Sequence, residues 1–217
     1  MRLKVILFTM LLLTVFAVAE DKIYLLVDNH IGFDGKTTVL QIFDKWCNEI
    51  EEDCDNSPLC GMKFSIYMLG EEGFGQSETF TMPEKPGSYK LNCNKGNWAQ
   101  YKKKLTAIRD SVAVFIESAP KPPYVNIAKG INRVARESFR DGDTRTIYVI
   151  SDYKSLPEKY EAIEVTEFEE DGVPVRLYFT NVEDGKKLLN STFKWDECPD
   201  STRVFEALRC YSSGEFK

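Results

Sequence analysis

The chain has 217 residues, 29% of them charged, a formal net charge of −6 and six cysteines. That length suits one α/β domain with an ordinary buried core, and the acidic balance argues against phosphate backbones and anionic lipid as main partners. Lys and Arg are scattered, and the densest run, YKKK at 101–104, reads as a solvated helix face.

The first 19 residues, MRLKVILFTMLLLTVFAVA, place Arg2 and Lys4 ahead of an apolar stretch that ends in Ala17-Val18-Ala19. This is the layout of a cleaved secretory signal, 1–19, with small residues before the cut. The rival is a retained membrane anchor, for which the apolar part falls short of the ~20 residues that span a bilayer. No Cys follows the cut, which argues against a lipoprotein. Cleavage leaves one domain, 20–217, of 198 residues, and the loss of Arg2 and Lys4 moves the charge to −8. A secreted or periplasmic location is expected, with no integral membrane segment after cleavage.

KIYLLVD is apolar on both faces, as a central parallel strand is, and it stops at Asp28. His30, the only histidine, comes two residues later. Val39, Phe43, Trp46 and Ile50 recur at helical spacing, which predicts a helix over Thr37 to Glu51 capped by Thr37 or Thr38. A Cys-bounded loop leads to a second strand, MKFSIYML, ending at Gly70. Residues 71–96 are rich in Gly, Pro, Ser and Glu and read as an irregular, Cys-containing insertion or hairpin. Asn97 is placed to cap a long helix, on which Trp98, Tyr101, Leu105, Ile108, Val112 and Phe115 repeat at 3 and 4. The end of that stretch, SVAVFI, is assigned to the helix because the period continues. After APKPPY a third helix carries Ile127, Ile131 and Val134 on one side, and TIYVISD is another buried strand, ending at Asp152. VPVRLYFTN is the fourth strand. Helical stretches are expected near Glu183 to Leu189 and Ser201 to Leu208.

Buried strands alternating with amphipathic helices imply a three-layer, Rossmann-like α/β fold: a mainly parallel central sheet with helices on both faces. In such sheets the useful crevice lies beyond the carboxyl ends of the strands. Asp28 and Asp152 both end strands, so they are expected to face one crevice, with His30, Asn126 and Tyr153 as further binding candidates there.

All six cysteines, Cys47, Cys54, Cys60, Cys93, Cys198 and Cys210, lie after the signal, and an even count in an exported chain reads as disulfides. Zinc-site spacing is absent. Of 15 possible connectivities, Cys54–Cys60, Cys198–Cys210 and Cys47–Cys93 are the expected pairing. Glu (20) far outnumbers Gln (3), a bias found in thermophilic chains.

With this element order the chain resembles a von Willebrand factor A-like domain over most of its mature length. The likeness is sharpest at the strand ending in Asp28 and at VNIAKGINRVARESFRDGDTRTIYVISDY, residues 125–153. The family commonly holds a divalent metal through a D-x-S-x-S turn, a Thr before that helix and the Asp after that strand. Asp28 and Asp152 match. The two Ser positions hold His30 and Gly32, and the Thr position holds Val125. Mg²⁺ needs an octahedron of oxygens, which Val125 and Gly32 do not supply, whereas the nitrogen of His30 suits Zn²⁺ or Ni²⁺. The expected state is a metal-free crevice, in which Asp28 and Asp152 cap backbone amides and His30 packs over them, with no cofactor. The alternative is a three-ligand metal site of Asp28, His30 and Asp152.

No other catalytic pattern stands out. Ser151 adjoins Asp152, but no G-x-S-x-G elbow is present, and GEEGFG at 70–75 lacks the Lys-Ser/Thr of a phosphate loop. The resemblance implies a protein-binding domain rather than an enzyme, acting within a surface or envelope assembly. The alternatives are a metal-dependent hydrolase using Asp28, His30 and Asp152, and a structural envelope protein.

Overall fold

The computed structural model describes residues 22–52, 57, 59–84, 95–138, 145–154, 175–179 and 209–212. Strand β1, Lys22–Val27, has Tyr24, Leu25, Leu26 and Val27 all buried, as expected of a strand covered on both faces. It lies between β2 (Lys63–Gly70) and β4 (Arg145–Ile150), parallel to both, and β5 (Val175–Phe179) continues the parallel set beside β4. The edges are β3 (Gly73–Thr81), antiparallel to β2, and β6 (Arg209–Ser212), antiparallel to β5. The six strands among the described residues run in the order β3-β2-β1-β4-β5-β6.

The protein is therefore α/β, but its sheet is mixed, with both edges reversed, rather than the mainly parallel sheet expected. Connection length explains the first edge. Only Glu71 and Glu72 separate β2 from β3, and a two-residue link permits a hairpin but no crossover. Gly73 closes that hairpin at φ 98°, a conformation other residues rarely adopt. So of the two readings of 71–96, irregular insertion or hairpin, residues 73–81 follow the hairpin, as an edge strand whose pairing shifts register between Met68 and Leu69.

Helix α1, Gly35–Glu52, starts two residues before the predicted Thr37. Its cap is Asp34 rather than Thr37 or Thr38: Asp34 accepts hydrogen bonds from the Thr37 amide at 3.0 Å and the Thr37 hydroxyl at 2.6 Å. Those bonds hold the Asp34 carboxyl below its ordinary pKa. Helix α2, Lys95–Ser118, includes the SVAVFI stretch as expected, and it also starts two residues early, so Asn97 lies inside its first turn. Helix α3, Ile127–Ser138, buries Ile127, Ile131 and Val134 as its spacing predicts.

Side-chain alternation along β1 splits the packing. Leu25 and Val27 join Phe64, Ile66, Tyr148 and Ile150 in a cluster closed by Val39, Phe43, Trp46 and Ile50 of α1 and Tyr101, Leu105, Val112 and Ile116 of α2. Leu26 points the other way, towards α3. There a Cβ on Gly130 would come within 2.5 Å of Leu69 and 3.6 Å of Leu26, so the glycine sets how closely α3 approaches the sheet. The expected helices near 183–189 and 201–208 lie outside the described residues, as does the 1–19 signal.

Candidate functional site

Parallel pairing of β1 with β4 puts Val27 opposite Ile150, and the next amide, that of Asp28, bonds to the Ile150 carbonyl at 2.9 Å. The residues just past the two strands therefore meet at one edge of the sheet: Asp28-Asn29-His30 after β1 and Ser151-Asp152-Tyr153 after β4. Asp28 is fully buried. Its Oδ1 accepts the His30 amide at 2.9 Å and lies 2.9 Å from His30 Nδ1, while its Oδ2 accepts the Ser151 hydroxyl at 2.6 Å. A carboxylate is an acceptor, so His30 Nδ1 carries a proton, and in the neutral ring Nε2 is then the nitrogen with the lone pair. The ring is steadied by Phe33, stacked at 6.1 Å between centroids, and Nε2 faces Asp152 Oδ1 at 4.0 Å.

Ser151 links the two halves. With its hydrogen directed at Asp28, the Ser151 oxygen accepts the Tyr153 amide at 2.9 Å. Tyr153 sits at φ 58°, in the left-handed region a tyrosine seldom enters. That backbone turns the chain so that Asp152 accepts from the Lys154 amide at 3.1 Å, with the Lys154 ammonium 3.4 Å from its second oxygen. Asp152 thus remains at the mouth of the crevice and Asp28 at its floor.

Residues 119–126, between α2 and α3, run along the same edge. The Ala119 carbonyl accepts from Asn29 Nδ2 at 3.5 Å, the Pro122 carbonyl from the Ile31 amide at 3.3 Å, and the Gly70 carbonyl from the Asn126 amide at 3.0 Å. These bonds set Ile31 and the segment carrying Tyr124 side by side on the rim, 70% and 38% exposed. Glu71, hydrogen-bonded to the Tyr124 hydroxyl, pushes that phenol's pKa up.

The structure brings Asp28, His30 and Asp152 together, and Tyr153 joins them through its backbone amide, bonded to Ser151. Asn126 is not in the cluster: its side chain caps α3 by accepting the Lys129 amide at 3.1 Å. Ser151 and the buried Asn29 belong to the site and were not among the expected residues. Ser151 adjoins Asp152, but its role depends on a contact with a residue 123 positions away.

The site does not fit the hard cation implied by the resemblance. Both oxygens of Asp28 are already engaged, Val125 is buried and apolar, and Gly32 has no side chain. One atom from each of Asp28, His30 and Asp152 nevertheless lies within 4.8 Å of the others.

Cys47 and Cys60 carry free thiols here, so neither forms its expected bridge, to Cys93 or to Cys54, in this structure. Cys54, Cys93 and Cys198 lie outside the described residues, and Cys210 falls in β6. Burial, helped by Asp44, pushes the Cys47 thiol up to about 11. The Tyr101 hydroxyl donates to the Pro83 carbonyl at 3.1 Å, so at 3.4 Å the Cys60 thiol is the donor to Tyr101. Among the described residues no helix is long and apolar enough to cross a membrane.

No family model matches the sequence, and no curated protein does. Among solved structures the chain is similar to proximal thread matrix protein 1 from the mussel byssus, at 14% identity and a TM-score of 0.37. That match covers 80% of this chain but 42% of the other, so the chain spans less than half the length of the byssus protein.

Proposed function

We propose that this chain is an exported protein-binding domain of von Willebrand A-like, three-layer architecture, which contacts its partner through the crevice rim. The secretory layout of residues 1–19 supports export to a secreted or periplasmic location. Six cysteines after the signal support disulfide stabilisation of the oxidised protein, within a surface or envelope assembly. The strand order, with Asp28 and Asp152 at the ends of adjacent parallel strands, supports the fold assignment.

One observation carries the binding role. The large exposed hydrophobics among the described residues are Ile31, Val114 and Tyr124, and two of the three sit on the crevice rim. An exposed isoleucine beside a part-exposed tyrosine gives the rim an aliphatic and an aromatic contact group, and aromatic residues are enriched at protein interfaces. The floor network fixes the Ile31 loop, so the patch is presented with little ordering cost on binding.

The test is capture from the envelope and secreted fractions of the source cells on immobilised mature protein. Ile31→Asp is expected to lower recovery of the wild-type partner at least tenfold, whereas Val114→Asp, on α2 rather than a rim loop, leaves it unchanged. Equal recovery by Ile31→Asp and wild type would remove the rim from the account.

A further inference from the structure

We infer that residues 119–123, on the crevice rim, form a preformed polyproline II ridge, and that the partner reads it with an aromatic-lined groove carrying a carboxylate for Lys121. The inference rests on the rim reading above and names the chemistry of the partner there.

The sequence dictates the conformation. Ala119-Pro120-Lys121-Pro122-Pro123 has proline at three of its five positions, each with φ held at about −65°. Ala119, Lys121 and Pro122 each precede a proline, which disfavours the helical region and pushes them towards extended backbone. Helix α2 accordingly stops at Ser118, and the chain passes through 120–122 without turn or bend, then bends at Pro123 and Tyr124. A polyproline II helix has three residues per turn. Burial follows that period: Ala119 is buried and Pro122, three residues on, is half-buried, while Pro120, Lys121 and Pro123 are exposed. The ridge therefore rests on the protein along one edge and shows the other two to water.

The ridge is tied down. The Pro122 carbonyl accepts the Ile31 amide at 3.3 Å. Beyond the bend, Val125 is fully buried and the Asn126 amide bonds to the Gly70 carbonyl at 3.0 Å. Glu71, bonded to the Tyr124 hydroxyl, keeps that ring beside the ridge. A segment fixed in this way loses little entropy on docking.

Its chemistry selects the mode of recognition. Pro120, Pro122 and Pro123 have no amide hydrogen, so a partner strand cannot pair along this segment. It offers rings on an extended backbone, the features that aromatic-lined grooves recognise in Pro-x-x-Pro segments. Pro120 and Pro123 have that spacing and fall on one edge of a three-residue turn. Lys121 lies between them, exposed. It acts on the Asp34 carboxyl through space but forms no ion pair among the described residues, and so selects a carboxylate in the groove.

The test is capture from the envelope and secreted fractions on the immobilised mature chain, with poly-L-proline, a free polyproline II helix, added in excess. Poly-L-proline is expected to lower recovery about tenfold, and a Gly-Ser peptide of equal length to leave it unchanged. Pro120→Ala and Pro123→Ala together lower it about tenfold, Lys121→Glu does the same, and Lys121→Arg retains wild-type recovery. Thermal melting checks the fold of each variant; if the double variant melts early, the poly-L-proline competition on the wild-type chain decides. Wild-type recovery by the folded double variant or by Lys121→Glu, or no displacement by poly-L-proline, would overturn the inference. If Ile31→Asp still lowers recovery in that case, the rim contact stands and only the polyproline reading falls. If Ile31→Asp also recovers the wild-type amount, or nothing is retained at all, both fall.

Discussion

Asp28→Ala is expected to lower the free energy of unfolding by about 3 kcal/mol, several times the effect of an ordinary surface change. Alanine leaves three donors without their acceptor: the His30 amide, the His30 ring Nδ1–H and the Ser151 hydroxyl. Each buried, unsatisfied donor costs about 1–3 kcal/mol, partly offset by removing a buried carboxylate and by water entering the space. Ser151→Ala removes one of those bonds and also the acceptor of the Tyr153 amide, and is expected to cost about 1.5 kcal/mol. Urea denaturation of the three proteins measures both values. Equal costs for Asp28→Ala and Ser151→Ala would mean that the two His30 contacts contribute no more than the single bond from the Tyr153 amide to Ser151.

Gly35→Ala is the second large effect, and here two physical terms have opposite signs. Gly35 is the first residue of α1, and alanine in a helix normally adds about 0.4–1 kcal/mol by restricting the unfolded chain. A Cβ at this position would lie 2.3 Å from the Asp28 carbonyl oxygen and 2.7 Å from a Val27 methyl. The first of these is backbone at the end of a central strand and cannot swing aside. Relief requires the start of α1 to move off β1, disturbing the turn that carries His30. Overpacking of this kind costs about 1–3 kcal/mol, and a backbone obstacle puts it at the upper end. The net expectation is a loss of about 2 kcal/mol, read as a fall in the urea midpoint at unchanged slope. A gain in stability would show that α1 approaches β1 less closely than described.

The central strands and the helices are legible in the sequence because their patterns are local. β1 and the apolar part of β4 are continuous runs, and α1, α2 and α3 repeat at helical spacing. The edges are harder to read. Five consecutive exposed residues of β3 leave insertion and hairpin equally open as readings, and β6 has only four residues. An edge strand needs few apolar side chains, because its stability comes from pairing with a neighbour that the sequence does not name. The start of α1 escapes the sequence reading because Gly35 hides the first turn, while the capping Asp34 lies just outside the predicted span.

The site divides along the same line. Asp28 and His30 are two residues apart, so their contact can be read from the chain, whereas the Ser151 hydroxyl reaches Asp28 only because β1 and β4 are neighbours. Asn126 stands just before a helix, where capping competes with a place in the crevice, and capping wins. Cys47 and Cys60 show the limit of spacing, which counts cysteines without placing their sulfurs.

Amide hydrogen exchange of the mature chain, alone and with its captured partner, tests the proposed contact most directly. The rim account predicts slowed exchange on binding at residues 29–34 and 119–126, with β3, Gly73–Thr81, unchanged. Its exposed edge is the other surface on which a partner strand could add. Slowed exchange along β3 with no change at the rim would contradict the account.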